Sequence, residues 1–162
     1  MKYLINKISS YDLFVNLLPG VIFAVISEKV TTYSFLQKDI VIGFFVYYLI
    51  GLVISRFGSL VIEPAFKKIK FLKFADYKDY ISACKKDEKI DLLSEKNNSF
   101  RSISSMLALL LILKVYEWIA DFYPVLNEYG IVILVFVLFI VFLFAYRKQT
   151  EYVVKRVDNA NR

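Results

Sequence analysis

Apolar residues fall in four blocks along the chain, and charged residues gather between them. Tyr11 to Ser27 is apolar except for Asp12 and Asn16. Ser9 and Asp12 at its start have the capping-box spacing that opens a helix. This run is at the short end of the ~17–25 residues needed to cross about 30 Å of hydrocarbon, and Pro19 predicts a kink in it. It reads as a first span, with a re-entrant or interfacial helix as the alternative. Ile40 to Ile62 is long enough to cross, is interrupted by Arg56, and is expected to end at Glu63-Pro64. A third block, from Ile103 to Ile119, carries Lys114 and Glu117, while the fourth, Ile131 to Tyr146, has no polar side-chain atom before the Tyr146 hydroxyl.

The pattern predicts an all-α, polytopic transmembrane fold of four spans in three parts. Residues 1–66 form a first hairpin, 67–101 a basic cytoplasmic insert, and 102–162 a second hairpin with a tail. Thirty-five residues with six acids are too few and too polar to bury a core of their own. From Asp76 to Ser94 the residues Tyr77, Tyr80, Ile81, Cys84, Ile90, Leu92 and Leu93 recur at helical spacing, which predicts one or two amphipathic helices.

Charge sets the expected orientation, because Lys and Arg in short loops stay on the cytoplasmic side. Lys67 to Arg101 holds ten basic residues and the tail from Arg147 holds five, whereas Asp121 to Tyr129 has none. The N-terminal tail adds Lys2 and Lys7. Four spans with cytoplasmic termini put the basic segments inside and leave Trp118, Tyr123 and Tyr129 at the outer interface, where aromatic rings concentrate. Pro19-Gly20 interrupts the first apolar run, so that segment is expected to remain in the mature protein rather than act as a signal peptide.

Composition narrows the chemistry. The chain is 58% hydrophobic, with no His and one Cys, Cys84. Imidazole acid–base catalysis, His or multi-Cys metal sites and an intrachain disulfide are therefore excluded. No phosphate-binding glycine loop, no glycine-flanked nucleophilic Ser and no close pair of intramembrane Asp residues occurs. The expectation is a protein that is not an enzyme and needs no cofactor.

Four groups of residues remain as candidates. Gly51, Ser55 and Ser59, with Gly43 two turns earlier, strip one helix face of bulk, a device for close packing in lipid that serves contact within a chain or between subunits equally well. Arg56 and Glu63 lie two turns apart on one face, either paired, lining a pore, or near the headgroups where Arg can snorkel. Lys114 and Glu117 have the spacing of an ion pair within an apolar run, which points to a hydrated path or a polar contact between subunits, against snorkelling to the outer interface. Lys67, Lys68, Lys70 and Lys73 alternate with Phe71 and Phe74, and Lys85, Lys86, Lys89 and Arg101 follow. Such a run suits anionic lipid headgroups, or an oligonucleotide or nucleotide whose phosphates meet Lys and whose bases stack on the rings.

The stretches Ser10-Tyr11-Asp12-Leu13-Phe14 through Leu17-Leu18-Pro19-Gly20, Gly51 to Ser59, and Glu63-Pro64 resemble small bacterial inner-membrane proteins. The likeness continues through Lys85-Lys86-Asp87-Glu88-Lys89-Ile90 to Glu95-Lys96-Asn97-Asn98. The sequence is similar to membrane subunits of anti-phage defence operons, the Hailong effectors first and the Kiwa membrane subunits second. The resemblance implies an oligomeric channel controlled by a DNA oligomer, and the leading expectation is a homo-oligomer, a tetramer, that opens an ion path in response to a cytoplasmic signal. The competing expectations are a non-conducting anchor or sensor that recruits a soluble partner protein from the same operon, and a small transporter subunit.

Overall fold

A computed structural model describes residues 13–160, and every regular element among them is helical. The capping pair Ser9 and Asp12, the residues Ser10 to Asp12, and the basic Lys2 and Lys7 lie outside the described residues. A π-helical stretch, Leu13–Leu17, leads into α1, Leu18–Val30. Helix α2, Ile40–Phe57, opens at Asp39, whose Oδ1 accepts from the amides of Val41 at 2.8 Å and Ile42 at 2.9 Å. That side chain satisfies two of the amides a helix start leaves unpaired.

The second apolar run does not stop at Glu63-Pro64. It widens into a π-helical stretch, Gly58–Ile62, and continues as α3, Glu63–Lys68. The Glu63 amide donates to Gly58 O, five residues back. Proline has no N–H to offer the next carbonyl, and the wider turn lets the chain pass it without breaking. The first π-helical stretch likewise ends just ahead of a proline, Pro19. Helix α3 ends in a Schellman motif. Lys70 is left-handed at φ 60°, Phe71 N donates to Phe66 O, Lys70 N donates to Lys67 O, and the Phe66 and Phe71 rings meet at 5.2 Å.

The insert supplies a short helix, α4, Tyr77–Cys84. The second amphipathic stretch and the third apolar block belong to one helix, α5, Lys89–Phe122. A one-turn α6, Val125–Glu128, precedes α7, Gly130–Ala160, which runs well past Tyr146. At 1.5 Å per residue α5 and α7 are ~51 and ~46 Å long, more than a bilayer core needs. The Ile40–Lys68 run, α5 and α7 are each long and apolar enough to cross a membrane.

Helices α1, α2 and α5 share the core, built on Phe23, Ile54, Met106 and Leu110, with Ile22, Ile50 and Leu113 packed around them. Glycines set the spacing. A Cβ built on Gly51 would fall on the Asn16 carbonyl, and one on Gly20 would fall on the Tyr47 carbonyl. These are reciprocal contacts one helical turn apart, so backbone meets backbone. Gly58 instead faces side chains of α5, those of Ser105 and Arg101. Helix α7 stands apart, with Ala145 as its one buried side chain among the described residues.

Candidate functional site

Each end of the three-helix core carries a buried carboxylate. Glu63, 7% exposed, sits at the first turn of α3. Its Oε1 accepts from Lys67 Nζ at 3.0 Å, and its Oε2 accepts from Arg101 Nη1 at 2.8 Å. The α2–α3 run is thereby fastened to α5. Helix α7 joins the same place through Lys148, whose Nζ donates to Ser59 O at 2.5 Å. In the π-helical register set by Glu63 N and Gly58 O, the Ser59 carbonyl would receive the N–H of residue 64, which is proline. An orphaned carbonyl in an apolar setting needs a donor. Lys148 supplies it from another helix.

Glu117 lies 16 residues beyond Arg101 on α5, ~24 Å away along the axis. Its Oε1 accepts from the Thr32 amide at 2.5 Å and its Oε2 from Lys114 Nζ at 2.6 Å. The Lys114 side chain is 59% exposed. Glu117 therefore fastens the connection after α1 to α5. Tyr33 adds a ring contact to Tyr116 at 6.1 Å and donates to Asn127 Oδ1 at 3.0 Å. Burial, with Tyr116 and Glu117 beside it, pushes the Tyr33 phenol above its usual value. The phenol stays protonated and able to donate at any physiological pH.

Hydrogen bonds to a charged acceptor are worth ~1.5–3 kcal/mol. Glu117→Gln is expected to weaken this tie and to speed hydrogen–deuterium exchange of residues 31–35 by at least about tenfold, a factor equal to about 1.4 kcal/mol. Exchange unchanged there, with the variant folded, would mean that the connection is held by the tyrosines alone.

The candidate residues separate into several places. Gly51 is at a helix contact inside the chain, Ser59 is buried two turns further on, and Ser55 between them is half-buried. Gly43 instead faces Gln37 and Tyr47 of its own segment. Glu63 takes Lys67 and Arg101 as its ion-pair partners, and Arg56 lies half-buried nearby. Lys67 also sits over the Phe74 ring at 4.1 Å. Lys68, Lys70, Lys73 and Phe71 are exposed, and Lys85, Lys86 and Lys89 project from the turn between α4 and α5. The basic insert is thus two places, one at Glu63 and one at the α4–α5 turn.

Thr32, Tyr33, Asn127, Gly20, Gly58 and Lys148 were not among the sequence candidates. Only Lys148 had a legible signal: Pro64 orphans a carbonyl, and a basic residue ends the apolar run of another helix. Among the described residues no group of three or more His, Cys, Asp and Glu side chains could hold a metal. No known protein family, curated protein or solved structure matches this chain.

Proposed function

We propose that the chain is a four-span bacterial inner-membrane protein with cytoplasmic termini that assembles into a homo-oligomer and conducts ions as an anti-phage effector. Control comes from a nucleotide or DNA oligomer at the basic insert. The observation that carries the reading is the unbroken α5, which runs from Lys89 in the insert, past Arg101, to Glu117. A ligand that moves the insert therefore moves a span without an intervening joint. The core of one chain is filled by Phe23, Ile54, Met106 and Leu110, so the ion path belongs between copies. Helix α7, with so little of its surface covered, is free to meet another copy. The defence setting rests on the sequence resemblance.

Ion flux through the purified protein in liposomes tests conduction, with and without a short single-stranded oligonucleotide. Flux that rises with the oligonucleotide, and whose ion selectivity changes in Lys114→Ala, is the expected result. That variant leaves the Glu117 tie to Thr32 in place. A second reading, a non-conducting anchor that recruits a soluble partner through the insert, is favoured by the filled core. Liposomes that stay tight under all these conditions would establish it.

The orientation has its own test. Cys84 is expected to react with an impermeant maleimide only after cells are permeabilised. Burial and a hydrogen bond to Asp91 push its thiol up, so the reactive thiolate is scarce at neutral pH and labelling should quicken as pH rises. Rapid labelling of intact cells would reverse the topology.

A further inference from the structure

The Glu63 end of the bundle holds more positive charge than the protein neutralises. Arg56, Lys67 and Arg101 all act electrostatically on Lys148 together with Glu63, while Glu151, which reaches the adjoining Tyr152, is paired with Arg147 and adds no net charge. Four bases against one acid leave an excess of three positive charges. Glu63 already divides its oxygens between Lys67 and Arg101, and Lys148 is bonded to a neutral carbonyl. Arg101 Nε is buried and has no hydrogen-bond partner. A partly buried cluster of this kind is costly unless an anion joins it.

Position says which anion. The cluster lies where the apolar run of α7 gives way to Arg147 and Lys148, and where the α2 run ends. Beside it the chain exposes Ile69, Phe71 and Phe74 between Lys68, Lys70 and Lys73. Exposed rings and aliphatic side chains alternating with lysines suit the boundary between acyl chains and headgroups. Water alone gives no reason for those three apolar side chains to be exposed.

We propose that Arg56, Lys67, Arg101 and Lys148 form a binding site for the phosphate of an anionic lipid headgroup, seated at the Glu63 end of the bundle with its acyl chains along α7. The phosphate oxygens accept from Lys148, Lys67 and the Arg101 guanidinium, and the local charge falls from +3 toward +2. Guanidinium and ammonium together favour a phosphate over a zwitterionic headgroup, whose own cation the excess charge repels. The site rests on the membrane-embedded part of the function proposed above and not on conduction. Lipid retention and ion flux are scored separately, so the two ideas fail separately.

The full chain in neutral detergent is offered phosphatidylglycerol or phosphatidylcholine at equal concentration, and retained lipid is counted by native mass spectrometry. Wild type should retain phosphatidylglycerol in preference. Lys148→Gln should lower that retention on the order of tenfold, and Lys148→Arg, which keeps the charge and a donor, should restore it. Lys78→Gln with Lys96→Gln, exposed bases elsewhere on the insert, should change it little. Equal retention of the two lipids overturns the site. So does a loss in the Lys78 and Lys96 variant as large as that in Lys148→Gln, because net charge would then explain it. Inorganic phosphate at millimolar concentration is added in a last arm. Displacement of the lipid by phosphate alone would show a site for free phosphate and overturn the lipid assignment.

Discussion

Gly51→Leu forces the first two helices apart and lowers the thermal midpoint of the detergent-solubilised protein by on the order of 10 °C, from overpacking costs of ~1–3 kcal/mol or more and ~2–4 °C per kcal/mol for a chain of this size. The size of the effect follows from what the new side chain meets. Gly51 faces the Asn16 carbonyl, which is backbone and cannot swing aside, and one turn away Gly20 faces the Tyr47 carbonyl. Without Cβ atoms the two helices approach closely enough for Cα–H groups to point at carbonyl oxygens. Even Gly51→Ala should be destabilising for this reason. Gly43→Ala is the matched control. Its Cβ would be 3.2 Å from the Tyr47 ring, which has to give by only a few tenths of an ångström, and 3.5 Å from Gln37 Cβ, an ordinary van der Waals contact. Alanine's helix propensity, worth up to about 1 kcal/mol over glycine, then makes that variant neutral or slightly more stable. Equal midpoints for Gly51→Ala and Gly43→Ala would rule out the close contact.

Glu63→Gln is expected to cost nearly as much, by a different route. Removing one partner of a buried ion pair costs ~3–5 kcal/mol, chiefly because the other charge is left behind. The Arg101 side chain is 24% exposed and that of Lys67 46%, and water screens such partners. The loss therefore belongs at the lower end, about 3 kcal/mol. A double-mutant cycle isolates the pair: Glu63→Gln with Arg101→Gln should be clearly less destabilised than the two single losses added together. Strict additivity would mean that the 2.8 Å contact between Glu63 and Arg101 contributes nothing. Proteolysis within the Arg147–Ala160 part of α7 should also rise in Glu63→Gln, since Lys148 loses the nearest negative charge that holds it against Ser59.

The helical elements were largely legible from periodicity and hydropathy. Ile40 to Ile62 is helical throughout, as α2 and the π-helical stretch after it, and Ile103 to Ile119 and Ile131 to Tyr146 fall inside α5 and α7, because a long apolar run satisfies its backbone only by coiling on itself when water is scarce. The ends were read less well. Glu63-Pro64 was expected to stop α2, yet the helix passes the proline by taking a π-helical turn. The insert was expected to carry one or two amphipathic helices below the spans, and its second stretch is one helix with the third apolar block, continuous across Asn97 to Arg101. Local signals mark where a helix can end, and packing of Gly58 against Ser105 and Arg101 decides whether it does.

By itself, the sequence determined an all-helical chain with apolar runs of bilayer length, a strongly basic insert, and a small-residue face on α2, because each of these depends on residue type and spacing along one element. Only the tertiary structure decided what those faces meet. Gly51 turned inward to Asn16, Glu63 chose Arg101, 38 residues away, over Arg56, and Glu117 took the Thr32 amide along with Lys114. Lys148 found the carbonyl that Pro64 left without a donor. Such partners lie on different helices, and a buried charge or an orphaned carbonyl demands some partner without specifying where in the chain it stands. Helix spacing made the choice, and glycine contacts between backbones set that spacing.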